Sequence, residues 1–154
     1  MKKRTKRQLS QILYNKKLAE IEKQTGDKST YLSQLNSVGR GLLRTKFRGV
    51  FPSDKIPKLN EIKPYCILNV DRSGEPGSHW VALARMDNGD TLFYDSFGRD
   101  GNKLIKNLEY SGNGRIVNTD DDVEQKMSET NCGARCLSFL CICDEYGADV
   151  AKLI

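Results

Sequence analysis

Residues 132–146 hold the stretch that most restricts how this chain can fold. Cys136, Leu137, Phe139, Leu140, Ile142 and Cys143 form a nearly all-apolar run of helical length. A helix that is apolar on every side has no face to offer water, so it has to be buried. The 154 residues, 38% of them hydrophobic, suit one domain with a single core around it.

The remaining elements follow from periodicity and turn residues. Leu9, Ile12, Leu13, Leu18 and Ile21 recur at helical spacing among charges, which predicts an amphipathic helix over 8–24, stopped at Gly26-Asp27. Ser29 or Thr30 is placed to cap a second helix bearing Tyr31, Leu32, Leu35 and Val38, with Gly39 and Gly41 loosening its end. From Phe47 the texture changes to an irregular segment with Pro52 and Pro57. Short apolar runs then lie at 65–70, 79–85, 91–94 and 115–118. Asp87-Asn88-Gly89-Asp90 between two of them is a hairpin signal. Helices, a mostly antiparallel sheet and a buried helix define an α+β domain. Residues 1–46 are expected as a basic helical region packed on or appended to a core of residues 47–154.

The net charge of +5 is unevenly placed: residues 1–48 carry +10 and residues 49–154 carry −5. A basic N-terminal region is either a solvated helix face or a contact surface for a polyanion, nucleic acid being the obvious one. No apolar run approaches the roughly 18–20 residues of a membrane span. Leu9 to Leu18 is interrupted by Ser10, Gln11, Asn15, Lys16 and Lys17, so no signal-peptide core is seen and synthesis inside the cell is expected.

Five cysteines, at 66, 132, 136, 141 and 143, are an odd set with four crowded into twelve residues. Reduced thiols fit this better than a disulfide framework. The spacing Cys-x3-Cys-x4-Cys-x-Cys matches no familiar zinc set, and its members would fan around a helix, so no metal is expected. Cys66, Cys136 and Cys143 read as core thiols and Cys141 as half-exposed. Cys132 differs, because Asn131-Cys132-Gly133 stands where the buried helix starts. The positive end of a helix favours a thiolate there, and Gly133 allows other groups to come close.

His79 is the single histidine, at the start of a strand after the Gly/Pro stretch 73–78 and beside the single tryptophan, Trp80. A lone histidine is commonly structural, yet Asp95 ends the next strand and a hairpin would bring both to one end. A two-residue turn centred between 88 and 89 places residue 82 opposite Asp95, so contact with His79 requires an offset or a bulge. In a Cys–His–Asp arrangement Cys132 is the nucleophile, His79 the base that later protonates the leaving amine, and Asp95 its orienter. Gln125 and the Cys132 backbone N–H are candidate oxyanion donors. Without such an arrangement, the chain reads as a basic, non-enzymatic nucleic-acid-binding or assembly protein with ordinary thiols.

In chain order, Gly77-Ser78-His79-Trp80-Val81-Ala82, Tyr94-Asp95-Ser96-Phe97-Gly98, Gln125 and Asn131-Cys132-Gly133-Ala134-Arg135-Cys136 resemble the adenovirus maturation protease (adenain) group. This group is related in fold to the ubiquitin-like-protein proteases. The likeness is to the versions in virophages, Polinton-type elements and large DNA viruses. It covers roughly residues 47–143, including Phe47-Arg48-Gly49-Val50-Phe51-Pro52 before the first strand. It implies a papain-like cysteine peptidase fold, with His79, Asp95 and Cys132 as the triad and Gln125 in the oxyanion hole. Trp80 is then site-adjacent, covering the site, as is Gly133.

The implied activity is cleavage of viral capsid and core precursors during virion maturation, in the virion, the host cytoplasm or a virus factory. No cofactor is required, although DNA acts as an activator in the adenovirus enzyme and the basic N-terminus suits such a role. The same architecture also serves proteases of ubiquitin-like modifiers. The stretch Gln125 to Thr130 puts an acidic residue, Glu129, and bulk where relatives often carry small residues before the nucleophile, and Asp120-Asp121-Asp122 lies close by.

Overall fold

The computed structural model describes residues 3–25, 32–71, 73–74, 79–119 and 131–154. Gly26-Asp27, Ser29, Thr30, Tyr31, Gly77, Ser78, Asp120 to Asp122, Gln125 and Glu129 lie outside the described residues.

Five strands form one sheet in the order β1-β2-β3-β4-β5, comprising β1 (Phe47–Pro52), β2 (Tyr65–Asn69), β3 (Trp80–Arg85), β4 (Thr91–Tyr94) and β5 (Ile116–Asn118). The inner pairs β2–β3 and β3–β4 are antiparallel, whereas β1–β2 and β4–β5 are parallel. The sheet is therefore mixed rather than mostly antiparallel. The segment read as irregular at 47–52 is its edge strand, with a register shift between Phe47 and Gly49 where Gly49 takes φ +132°. Parallel partners need a long crossover, which periodicity within a strand cannot reveal.

Both faces of the sheet are covered, so every residue of β2 and β4 is buried. Such strands lose the in–out alternation and read as continuous apolar runs. On one face lies α4 (Cys132–Tyr146), in contact with β3 and in turn with α1 (Lys3–Thr25), α2 (Leu32–Leu43) and α5 (Ala148–Ala151). All residues from Cys132 to Cys143 are buried, as an apolar helix requires. On the other face Leu59, Ile105 and Leu108 pack over Cys66, Leu68, Val81, Leu83 and Phe93.

The inward side of α1 is not the expected stripe. Ser10, Tyr14, Leu18 and Ile21 are buried, whereas Leu9 and Ile12 are exposed by 46% and 63%. The inward side mixes polar with apolar residues because its polar groups have buried partners: Ser10 Oγ donates to the Val150 carbonyl at 2.5 Å, and Ser138 Oγ donates to the Tyr14 carbonyl at 2.7 Å. Gly39 does not loosen α2, which continues to Leu43. A Cβ at Gly39 would lie 2.6 Å from the Phe47 ring, so the glycine lets β1 approach the helix.

Away from the site, Asn113 acts as a buried staple that the sequence pattern presents only as part of a turn. Its Oδ1 accepts from Leu59 N at 2.7 Å and its Nδ2 donates to the Pro57 carbonyl at 2.9 Å. The crossover between β1 and β2 is thereby held against the turn before β5.

Candidate active site

The β3–β4 hairpin sets where His79 and Asp95 meet. Gly89 N–H donates to the Met86 carbonyl at 3.0 Å, and Met86 N–H donates to the Asp90 carbonyl at 2.7 Å. Gly89 has φ +89°, so the loop is the three residues 87–89 with a left-handed glycine, not a two-residue turn. Ala82 consequently pairs with Tyr94, and continuing that register places Val81 opposite Asp95. His79 lies just beyond the first residue of β3, anchored to β2 where Val70 N–H donates to its carbonyl at 2.9 Å. No bulge is needed, because both residues stand past the strand ends, where side chains are free of strict alternation.

The two meet directly: His79 Nε2 is 2.7 Å from Asp95 Oδ1. The Asp95 side chain has no exposed surface, and every oxygen is used. Oδ1 also accepts from Phe97 N at 3.2 Å, while Oδ2 accepts from Arg99 N at 3.2 Å and Arg99 Nε at 2.7 Å. The chain turns sharply to allow this, with Gly98 N–H donating to the Asp95 carbonyl at 2.8 Å and Gly98 at φ +71°. Phe97 lies against the imidazole, ring centres 5.1 Å apart, and the Arg99 guanidinium sits 5.2 Å from the centre of the same ring. With Nε2 committed to Asp95, Nδ1 is the ring nitrogen left for a third group.

That group is Cys132, the first residue of α4, whose side chain lies near enough to His79 to act on its charge state. Its backbone N–H belongs to the first turn, where a helix supplies no acceptor of its own. Burial pulls the His79 pKa down, but the hydrogen bond with Asp95, the neighbouring Cys132 side chain and the Asp95 charge outweigh it, raising the value from 6.5 to about 9. For Asp95, burial acts upward, yet hydrogen bonds from His79 and Arg99, the His79 charge and the Phe97 amide bring the value from 3.8 down to about 2. The imidazolium–carboxylate pair is the favoured state at neutral pH.

No protein-family model matches the chain. A stretch of 42 residues is 48% identical to a protein of Acanthamoeba polyphaga mimivirus that carries the provisional name of a thiol protease. The match covers 27% of this chain and 14% of the mimivirus protein, so it spans about a seventh of that relative's length. This local identity supports a viral cysteine protease as the coarse reading.

Cys66, Cys136, Cys141 and Cys143 are all buried. Cys132 is buried as well, but it is the thiol set beside an imidazole. Burial pushes Cys141 up to about 12, although Lys17 acts in the opposite sense, and it also carries Cys66, Cys136 and Cys143 well above the ordinary thiol range. Cys141 is therefore not half-exposed; α1 covers that side of the helix. Trp80 is buried too, paired with Asn69 and sharing the core cluster of Cys132 and Ala134. Gly133 is buried next to the thiol in the first turn of α4.

Several site-supporting residues have no signature in the sequence. Arg99 holds the second oxygen of Asp95. Tyr14 OH lies 2.6 Å from Tyr94 OH, and Arg135 Nη1 donates to Tyr14 OH at 3.2 Å. Tyr94 immediately precedes Asp95 and Asn131 immediately precedes Cys132, so a buried polar chain starting on α1 reaches both neighbours of the site.

The charge state of the pair has a measurable consequence for stability. The raised His79 value contributes stability that is complete below its ordinary 6.5 and is lost as pH rises through about 9. The depressed Asp95 value contributes stability present above 3.8 and lost as pH falls through about 2. The urea midpoint is expected to be flat between about pH 4 and 6.5 and to fall from there towards pH 9. In His79→Gln the alkaline decline should shrink; equal declines in both proteins would refute the linkage.

Proposed function

We propose that this chain is a cysteine endopeptidase of the adenain type that processes viral precursor proteins, with Cys132, His79 and Asp95 as its triad. The observation that carries this reading is the 2.7 Å contact between His79 and a fully enclosed Asp95, with Cys132 at the head of a buried helix near the same imidazole. The local identity to a mimivirus thiol protease supports the same chemistry and a viral setting.

In this mechanism the Cys132 sulfur attacks the peptide carbonyl carbon, and the thiol proton resides on His79 Nδ1. As the C–N bond breaks, Nδ1–H protonates the leaving amine and a thioester remains on Cys132. Water then attacks the thioester, giving its proton to His79 as the sulfur departs. Asp95 keeps Nε2–H engaged throughout, so Nδ1 is the nitrogen that exchanges protons. The Cys132 backbone N–H, together with the Gln125 side chain, is the proposed donor set for the oxyanion. The substrates are capsid and core precursors, cleaved in the virion or virus factory. Lys6, Lys16 and Lys23 lie on exposed positions of α1 while Tyr14 faces α4, which leaves a basic surface open for DNA as activator.

The test is incubation of the purified chain with capsid and core precursors of the same virus, with cleavage read by mass spectrometry and with iodoacetamide-treated enzyme as the control. Cleavage that iodoacetamide abolishes is the expected result. Intact precursors in a preparation whose Cys132 reacts with a ubiquitin-like-modifier aldehyde would instead assign the site to modifier release. Intact precursors with no labelling by either probe would leave a basic binding protein.

A further inference from the structure

The segment before the nucleophile carries an arrangement that the reaction itself does not explain. Asparagine is among the strongest helix N-cap residues, normally turning its side-chain oxygen onto the N–H of the second or third helical residue. Asn131 occupies this position ahead of α4, yet its side chain makes no capping hydrogen bond. Both ends of its carboxamide are held elsewhere. Oδ1 accepts from Arg135 Nε at 3.0 Å, and Nδ2 donates to Glu22 Oε1 on α1 at 2.8 Å. Arg135 is itself buried and donates through Nη1 to Tyr14 OH at 3.2 Å. For Asn131 to cap α4, two charge-assisted hydrogen bonds would have to break.

We propose that Glu22 and Arg135 are positioning residues that hold the Asn131 side chain off the start of α4. The amides of Cys132, Gly133 and Ala134 then remain open to negative charge on the Cys132 sulfur and on the substrate oxygen. A capping oxygen on the Gly133 or Ala134 amide would place a competing acceptor where the positive end of the helix otherwise serves the reacting atoms. Among the described residues, the groups that interact with the thiol are His79 just before β3, backed by Asp95 after β4, and Cys136 on α4 itself. Glu22 and Arg135 act only through Asn131. The inference rests on the peptidase reading and adds to it a role for α1, which supplies Glu22 and Tyr14.

The experiment uses the full chain, with iodoacetamide alkylation of Cys132 at pH 7 and kcat and KM on a cleaved precursor peptide. Glu22→Ala releases one of the two bonds that hold the Asn131 carboxamide, so that Oδ1 can turn from Arg135 to the helix amides, and is expected to slow alkylation and kcat by up to about five-fold, the size of one N-cap interaction. KM and the melting temperature should stay close to wild type. Glu22→Gln, which keeps an acceptor oxygen, should retain most of the rate. Adding Asn131→Ala to Glu22→Ala removes the side chain that can cap and should restore alkylation to within about two-fold of wild type.

A merely structural role predicts the reverse, a double variant slower than either single one, and that result overturns the proposal. So does Glu22→Ala alkylating within two-fold of wild type. If wild-type Cys132 itself reacts no faster than a free cysteine, the peptidase reading fails first and this role fails with it.

Discussion

Cys132→Ala is expected to abolish precursor cleavage, lowering kcat by at least about 10⁴-fold, the scale seen when a covalent nucleophile is removed. The fold should persist, because the change takes one sulfur from the first residue of α4 and leaves the helix packed against β3. The variant also isolates one thiol among five. Burial holds Cys66, Cys136, Cys141 and Cys143 in their protonated state at neutral pH. Brief treatment of the native wild type with iodoacetamide should therefore add a single carbamidomethyl group, mapped to Cys132, and Cys132→Ala should acquire none. A variant that still cleaves, or a wild type alkylated first at another cysteine, would remove Cys132 from the mechanism.

Asp95→Asn should lower kcat by roughly 10³–10⁴-fold without removing the nucleophile, by analogy with orienting carboxylates in hydrolytic triads. The asparagine has a single oxygen for the two donor sets, and turned towards the Arg99 amide and guanidinium it leaves its NH₂ on the side of Phe97 N–H and His79. If its NH₂ then faces Nε2, the imidazole must present a lone pair there and carry its proton on Nδ1. That tautomer cannot take the thiol proton. Arg99 loses its charged partner at the same time, at little cost, since its side chain is 45% exposed and can turn to water. Asp95→Asn should thus keep a melting temperature near that of wild type at pH 9, where the ionic contribution of His79 is already fading. At pH 6 it should melt lower. A kcat within ten-fold of wild type would show that Asp95 does not orient His79.

The same residues show which parts of the site are local in origin. Asn88-Gly89 correctly marks a hairpin, because glycine at positive φ is a local demand. The loop length depends on how Met86 and Asp90 pair, and the three-residue loop moves the partner of Asp95 from residue 82 to residue 81. Likewise the buried helix at 132–146 is legible in its composition alone, whereas the parallel pairing of β1 with β2 is not. The hydrophobic positions of α1 show the same limit in reverse. Leu9 and Ile12 satisfy helical periodicity yet face outwards, since Ser10 and Tyr14 find hydrogen-bond partners inside.

By itself, then, the sequence determined an α+β chain with one histidine, and one cysteine set apart at the head of a helix that must be buried. These are matters of residue type and short-range pattern, where burial and turn chemistry act within a few positions. Tertiary structure alone decided that His79 reaches Asp95, that Arg99 takes the remaining oxygen, and that Glu22, Tyr14 and Arg135 converge beside Asn131. Glu22 and Asn131 are 109 positions apart, and Tyr14 and Tyr94 are 80. Along the chain each reads as an ordinary polar or aromatic residue. Only when α1 closes over α4 and β4 does removal from water require these groups to satisfy one another.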